Sequence, residues 1–243
     1  MLHPGVDAVA MDLPGSGDSE PADCYCVPCT TATVAAAIRS VTDEPVHLVG
    51  NSYGGTVCLR LAATHPRLVR SLTLISPAVP FLNPSRSSQF SHRLLARLRR
   101  GGRDVAGLDP EGMVRAVLAE SCADPSAISR ERMSEFIEDA RRALATPWRC
   151  EAQARRFRGM VWELIRSYLP GRGSLRRLAR GITQRTLVVW GNCDRVLDFR
   201  LSEGLAGLIP HSRLVLIDGA GHLPHLEAPR AVADAIEGFW HPR

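Results

Sequence analysis

The chain has no lysine: its 30 basic residues are all arginine and, set against 25 Asp+Glu, leave a formal net charge of +5. An arginine-only basic set reflects a GC-rich coding bias more readily than a selected feature. No stretch approaches the ~20 consecutive apolar residues that a bilayer-crossing helix needs, so no transmembrane segment is expected. No charged-then-apolar leader precedes the first strand-like run, which makes a cytoplasmic location the expectation. The charge is unevenly spread, with 20 Arg against 11 Asp+Glu in residues 81–182 and 10 against 14 in the remainder. No motif of a nucleic-acid-binding fold accompanies that basic middle, so nucleic acid is not an expected partner. Attraction of an anionic substrate or a membrane surface is the other use for such a charge, and salt would weaken it steeply.

A disulfide framework is also missing. The seven cysteines are Cys24, Cys26, Cys29, Cys58, Cys122, Cys150 and Cys193, an odd number without a secretion signal. Cys24-x-Cys26-x-x-Cys29 invites a metal reading, but a closed site needs a fourth ligand and none is adjacent. Free loop thiols are the expectation, with no metal and no cofactor.

What is present is an alternation of strand-like and helix-like runs. At 243 residues, 45% hydrophobic and 23% charged, the chain is sized for one soluble α/β domain with an insertion. Val6–Leu13 is mostly apolar, as a strand buried on both faces should be, and ends in a turn-rich segment, Asp12 to Ser19. A helix pattern over 30–41, a strand at 46–50, a helix reaching His65-Pro66 and a strand at 71–76 follow. This rhythm means a parallel sheet with crossover helices. From 81 to 181 it breaks into amphipathic segments at 91–100, 112–121, 129–145 and 150–168, a helical insertion of about a hundred residues. Strands at 186–190 and 213–217, a helix at 198–208 between them and a closing helix at 229–239 complete the pattern. The expected division is a core of residues 1–80 and 182–243 with an inserted segment, 81–181.

Gly50-Asn51-Ser52-Tyr53-Gly54 lies between a strand and a helix, the context in which G-x-S-x-G carries a mechanism. The turn is tight enough to strain the serine, and small residues two before and two after it let strand and helix approach. Ser52 would stand at a strand's carboxyl end, with the Tyr53 N–H free to bind a developing oxyanion. The two late strands end in Gly191-Asn192-Cys193-Asp194 and Asp218-Gly219-Ala220-Gly221-His222. In a parallel sheet all carboxyl ends share one edge, so Ser52, Asp194 and His222 would emerge together. A serine hydroxyl needs a base within hydrogen-bond reach; an imidazole serves, and a carboxylate on its other nitrogen fixes the tautomer. Asp198 competes with Asp194, and His225 with His222; the positions directly after the strands favour Asp194 and His222. Asp12 more plausibly holds its turn than does chemistry. Arg39, Arg60 and the arginines of the insertion read as solvated faces.

Together "MDLPGSGDS", "LVGNSYGGTV", "LVVWGNCDRV" and "GAGHLPHLEAP" resemble the successive signature segments of the α/β-hydrolase superfamily. The resemblance covers nearly the whole chain outside 81–181 and implies a serine hydrolase acting on a small ester, thioester or related carbonyl substrate, with the helical segment as a cap. An acyltransferase has the same triad. Asn51 before the nucleophile resembles the elbow of the carbon–carbon bond hydrolases, but Leu223 stands where those enzymes usually carry tryptophan. One family segment is absent: the strands before the DxPGxGxS turn, whose last loop gives the second oxyanion donor. One such donor is worth about 2.7–4 kcal/mol in the transition state. A start upstream of Met1, a truncated chain with weak activity or mere ligand binding, and a rearranged sheet are the open explanations. The sheet itself would hold either a gap or a new pairing.

Overall fold

Four of the apolar runs pair into one sheet. The computed structural model describes residues 5–79, 109–166 and 174–241. Helix α1 (Val27–Val41) leads into β1 (Val46–Asn51), α2 (Ser52–Thr64) and β2 (Val69–Ile75). Among the described residues, α3 (Pro110–Ser121), α4 (Arg130–Leu144), α5 (Pro147–Arg166) and α6 (Leu175–Arg180) follow before the sheet resumes. Strand β3 (Arg185–Gly191), α7 (Leu201–Ala206), β4 (Ser212–Ile217), α8 (Pro224–Glu227) and α9 (Pro229–Trp240) close the chain. The strands lie in the order β1-β2-β3-β4, all parallel. Asn51 pairs with Ile75, Ile75 with Val189, and Gly191 with Ile217. That register brings the loops after β1, β3 and β4 to one sheet edge.

The two faces of β3 show why it is the most buried strand. Leu187 and Val189 join Ile217 and, from α9, Val232, Ile236 and Phe239. Val188 and Trp190 point the other way, into a larger layer with Leu72, Leu74, Val57, Leu59 and Leu61, covered by α1, α2, α6 and α7. Period-two alternation with apolar residues at every position can be satisfied only by a strand covered on both sides.

The inserted amphipathic patterns at 112–121, 129–145 and 150–168 correspond to α3, α4 and α5; the pattern at 91–100 lies outside the described residues. Side-chain oxygens set three helix starts: Asp109 accepts from the Gly112 amide, Ser129 from Arg132 and Ser174 from Arg177. Helices α3 and α4 bury a small cluster of Leu118, Cys122 and Ile128, against which Leu223 and Leu226 pack. Among the described residues, no helix is long and apolar enough to cross a membrane.

One expected strand does not form. Residues 6–13 have no strand pairing and are mostly exposed, Val9 to 71%. A strand exists only through its ladder, and here β1 is the sheet's edge, with no described strand on its outer side. Neither outcome foreseen for the sheet is seen among the described residues: the four strands pair continuously, and residues 6–13 make no new pairing. The apolar composition of 6–13 is therefore not matched by burial, and Val49 on β1 is likewise 41% exposed.

Candidate active site

The turn between β1 and α2 is as tight as its glycines suggest. Ser52 has φ of 50°, in the left-handed region that side chains avoid, so the rest of the turn must hold it there. The crowding is not where the motif puts it. A Cβ on Gly50 would stand 2.6 Å from the Gly54 carbonyl oxygen and 2.7 Å from Cys58 Sγ. One on Gly54 would meet nothing within 4 Å, whereas one on Gly55 would meet Pro77 Cβ at 2.8 Å. The close approach is thus made by Gly50 and Gly55, and the expectation for Gly54 is corrected: its own Cβ position is open. The segment after β2 locks against this turn, Ala78 N donating to Ser52 O at 3.1 Å and Thr56 Oγ1 to Ala78 O at 2.7 Å.

Ser52 Oγ lies 3.0 Å from His222 Nε2, and His222 Nδ1 lies 2.8 Å from Asp194 Oδ2. Three residues from three loops form one hydrogen-bonded line. His222 is 5% exposed, and the Asp194 side chain is inaccessible to solvent. Asp194 is saturated with donors: Oδ1 accepts from the amides of Val196 and Leu197, both at 2.8 Å, and Oδ2 also accepts from Trp190 Nε1 at 3.0 Å. A buried carboxylate is tolerable only when its lone pairs are filled in this way. Asp198 is differently placed, accepting from its neighbour Arg200.

The histidine loop is held from both sides. His222 N donates to Ser121 O at the end of α3, at 2.7 Å. One Glu227 oxygen accepts from Gly221 N at 2.8 Å, and the other from Ala123 N and Asp124 N. Asn51 Nδ2 donates to Ile75 O and, at 3.4 Å, to His222 O, tying the serine turn to the histidine loop. Trp190 and Glu227 are site residues that sequence reasoning missed, and Asn51, noted at the elbow, makes a contact to the histidine loop that it did not foresee. Trp190 is four residues before Asp194, which is a usable signal; Glu227 acts on backbone amides, which leave no mark in the sequence. Among the described residues His225 Nδ1 is buried with no hydrogen-bond partner, and burial, with the neighbouring His222, pushes its pKa down to about 4.

The family is settled by the chain as a whole. The model of the alpha/beta hydrolase fold matches residues 2–229. The chain belongs to the α/β-hydrolase family. Monoacylglycerol lipase abhd6-B of Xenopus laevis is 29% identical over 248 residues, spanning 98% of this chain and 68% of the relative. The pimeloyl-[acyl-carrier protein] methyl ester esterase of Neisseria meningitidis (serogroup C) is 29% identical over 245 residues, spanning 94% and 82%. Among solved structures, a membrane phospholipase A described as a bacterial virulence factor superposes with a TM-score of 0.71 at 28% identity, covering 94% of this chain and 68% of that one.

The remaining expectations about this α/β hydrolase divide on contact geometry. Asp12 holds its turn: Oδ2 accepts from Asp18 N at 3.0 Å, and its carbonyl accepts from Ser19 Oγ at 2.7 Å. Arg60 is no solvated residue; it pairs at 3.4 Å with Glu163 of α5, whose side chain is 3% exposed. The α5 arginines also depart from the solvated-face expectation. Arg149, Arg155 and Arg156 donate to the carbonyls of Gly17, Asp23 and Pro14, pinning the 14–23 loop beneath the helix. Tyr53 hydroxyl pairs with Thr30 Oγ1 at 3.0 Å and donates to Tyr25 O at 3.3 Å; burial raises its pKa. The free-thiol expectation is corrected as well, since Cys24 and Cys29 form a disulfide. Folding of the loop onto the α1 start brings these sulfurs together, and with two joined, only Cys26 of the three remains a free cysteine.

Proposed function

We propose that this chain is a serine hydrolase acting through an acyl-enzyme on a small ester, thioester or related carbonyl substrate. Ser52 Oγ attacks the carbonyl carbon, and His222 Nε2 takes the hydroxyl proton and later returns it to the leaving group. Asp194 holds the Nδ1–H tautomer and stabilises the imidazolium, and the Tyr53 N–H receives the oxyanion. The observation that carries the reading is the continuous line from Ser52 Oγ to Asp194 Oδ2, spanning residues 170 and 28 apart in sequence. The strained Ser52 backbone and the saturated Asp194 carboxylate support it. The names of the relatives, a monoacylglycerol lipase and a methyl ester esterase, favour a carboxylic ester as substrate. The inserted segment, residues 81–181, serves as a cap, of which the end of α3 touches the histidine loop, and its basic balance favours anionic substrates.

A fluorophosphonate reagent tests the assignment. Wild-type protein is expected to gain one covalent adduct on Ser52, lost in Ser52→Ala and slowed strongly in His222→Ala. Labelling that persists in Ser52→Ala refutes the nucleophile.

A further inference from the structure

We propose that Cys24, Cys26 and Cys29 form a redox site separate from the hydrolytic one, in which a disulfide exchanges among three sulfurs and is opened by external thiols. The three sulfurs lie within 4.8 Å of one another, and Cys26 Sγ is 3.2 Å from each sulfur of the Cys24–Cys29 bond. A free thiol this close to both sulfurs of a disulfide is within reach of either, and attacks once its side chain swings into line with the S–S bond. The other two described cysteines near the core differ: Cys58 and Cys122 are buried, which pushes their thiols up to about 12 and about 11. None of the three cysteines is a buried residue.

The local structure preorganises the sulfurs. Cys26 is the N-cap of the 15-residue α1, and Pro28 stands in its first turn. Cys26-Val27-Pro28-Cys29 is thus a Cys-x-x-Cys pair at a helix start, the spacing that redox disulfides use. Buried Tyr25 anchors the loop between Cys24 and Cys26: its hydroxyl accepts from Ala22 N at 2.9 Å, and the Arg155 guanidinium lies 5.0 Å from its ring centre. Helix α5 closes the other side at Gly159, where an added Cβ would come 3.1 Å from Cys26 Cα.

The exchange conserves electrons. The Cys26 thiolate attacks Cys29 Sγ; the Cys26–Cys29 bond forms as the Cys24–Cys29 bond breaks, and Cys24 leaves as a thiolate that takes a proton from solvent. Opening needs two low-molecular-weight thiols. The first attacks one sulfur of the pair to give a mixed disulfide, the second displaces the first as their own disulfide, and the cysteine pair gains two electrons and two protons.

The test uses the full chain. Protein purified without reductant is incubated at neutral pH, quenched in acid, alkylated with N-ethylmaleimide and digested with trypsin. All three cysteines fall in peptide 1–39, where fragmentation locates the adducts. The expected result is one adduct per peptide, divided between Cys26 and one or both of Cys24 and Cys29, rising to three adducts after incubation with reduced glutathione. Cys24→Ser, treated with oxidised glutathione, should carry no adduct, because Cys26 and Cys29 pair. An adduct confined to Cys26 at every pH indicates a static bond and overturns the exchange. Three adducts before any reductant, or adducts that appear only after a chelator strips a bound metal ion, overturn the redox site.

Discussion

At the scale of single residues, the site depends on how Asp194 is supplied with donors. Its four contacts leave the carboxylate no free lone pair, and the Trp190 indole provides one of them. Asp194→Asn keeps the shape but offers an amide N–H to His222 or reverses its tautomer. The expected loss in kcat is on the order of 10⁴-fold, the scale of that change in serine proteases, measured with a simple chromogenic ester. Trp190→Phe removes the N–H together with part of a fully buried ring, so the hydrogen-bond loss is a lower bound. It should cost at least about 1.5–3 kcal/mol, the worth of a hydrogen bond to a charged group, read as a lower denaturant midpoint. His225 makes a pH prediction. Its folded pKa lies near 4, below the ordinary 6.5, because burial and His222 disfavour its charge. Between those values the unfolded chain binds the extra proton, so stability is complete above about pH 6.5 and falls as pH drops toward 4. Urea midpoints over this window should fall more in wild type than in His225→Gln; parallel curves would exclude His225 as the source.

At the scale of elements, the turn from β1 to α2 sorts its glycines by what lies over them. Gly50→Ala and Gly55→Ala push a methyl into the Gly54 backbone and Pro77 respectively, and about 1–3 kcal/mol of destabilisation is expected for each. Gly54→Ala enters open space inside a helix and should be neutral or stabilising by up to about 1 kcal/mol. Thermal unfolding of the three variants checks the order, and a Gly54→Ala loss as large as that of Gly50→Ala would contradict it. The elements themselves were largely legible. Strands β2, β3 and β4 stand where mostly apolar runs end in turn residues, and α3 to α5 where amphipathic spacing is found. The 6–13 run was misread for a physical reason: apolar composition signals a need for burial, but a strand also needs a neighbour's backbone. Beside β1 no described strand supplies it.

At the scale of the whole molecule, charge and packing compete for the same arginines. Several that looked free are engaged: Arg115 with Glu111, Arg132 with Glu135, Arg141 with Glu138, and three on α5 with loop carbonyls. The net charge survives such pairing, because donating to a carbonyl does not neutralise a guanidinium. If the basic balance favours anionic substrates, KM for a carboxylate-bearing ester should rise with ionic strength while that for a neutral ester stays constant. Equal salt responses would remove the charge from the account of specificity. The α5 arginines make a separate claim. Arg156→Ala gives up the Pro14 carbonyl contact and should loosen the 14–23 loop, seen as faster amide exchange there with little change in β3.

The order of strands and helices, the α/β class and the three loops that hold Ser52, Asp194 and His222 were determined by the sequence, because hydrophobic period and turn chemistry are local properties. Strand direction carried that reading one step further, since parallel strands put their carboxyl ends on one edge. Tertiary structure alone decided the rest. It chose Gly55 over Gly54 for the close approach, brought Trp190 and Glu227 to the site, joined Asn51 to the histidine loop, and placed Cys26 against a disulfide. It also left residues 6–13 unpaired. Each of these depends on which distant backbone or side chain arrives alongside, and that proximity is created only when the chain folds.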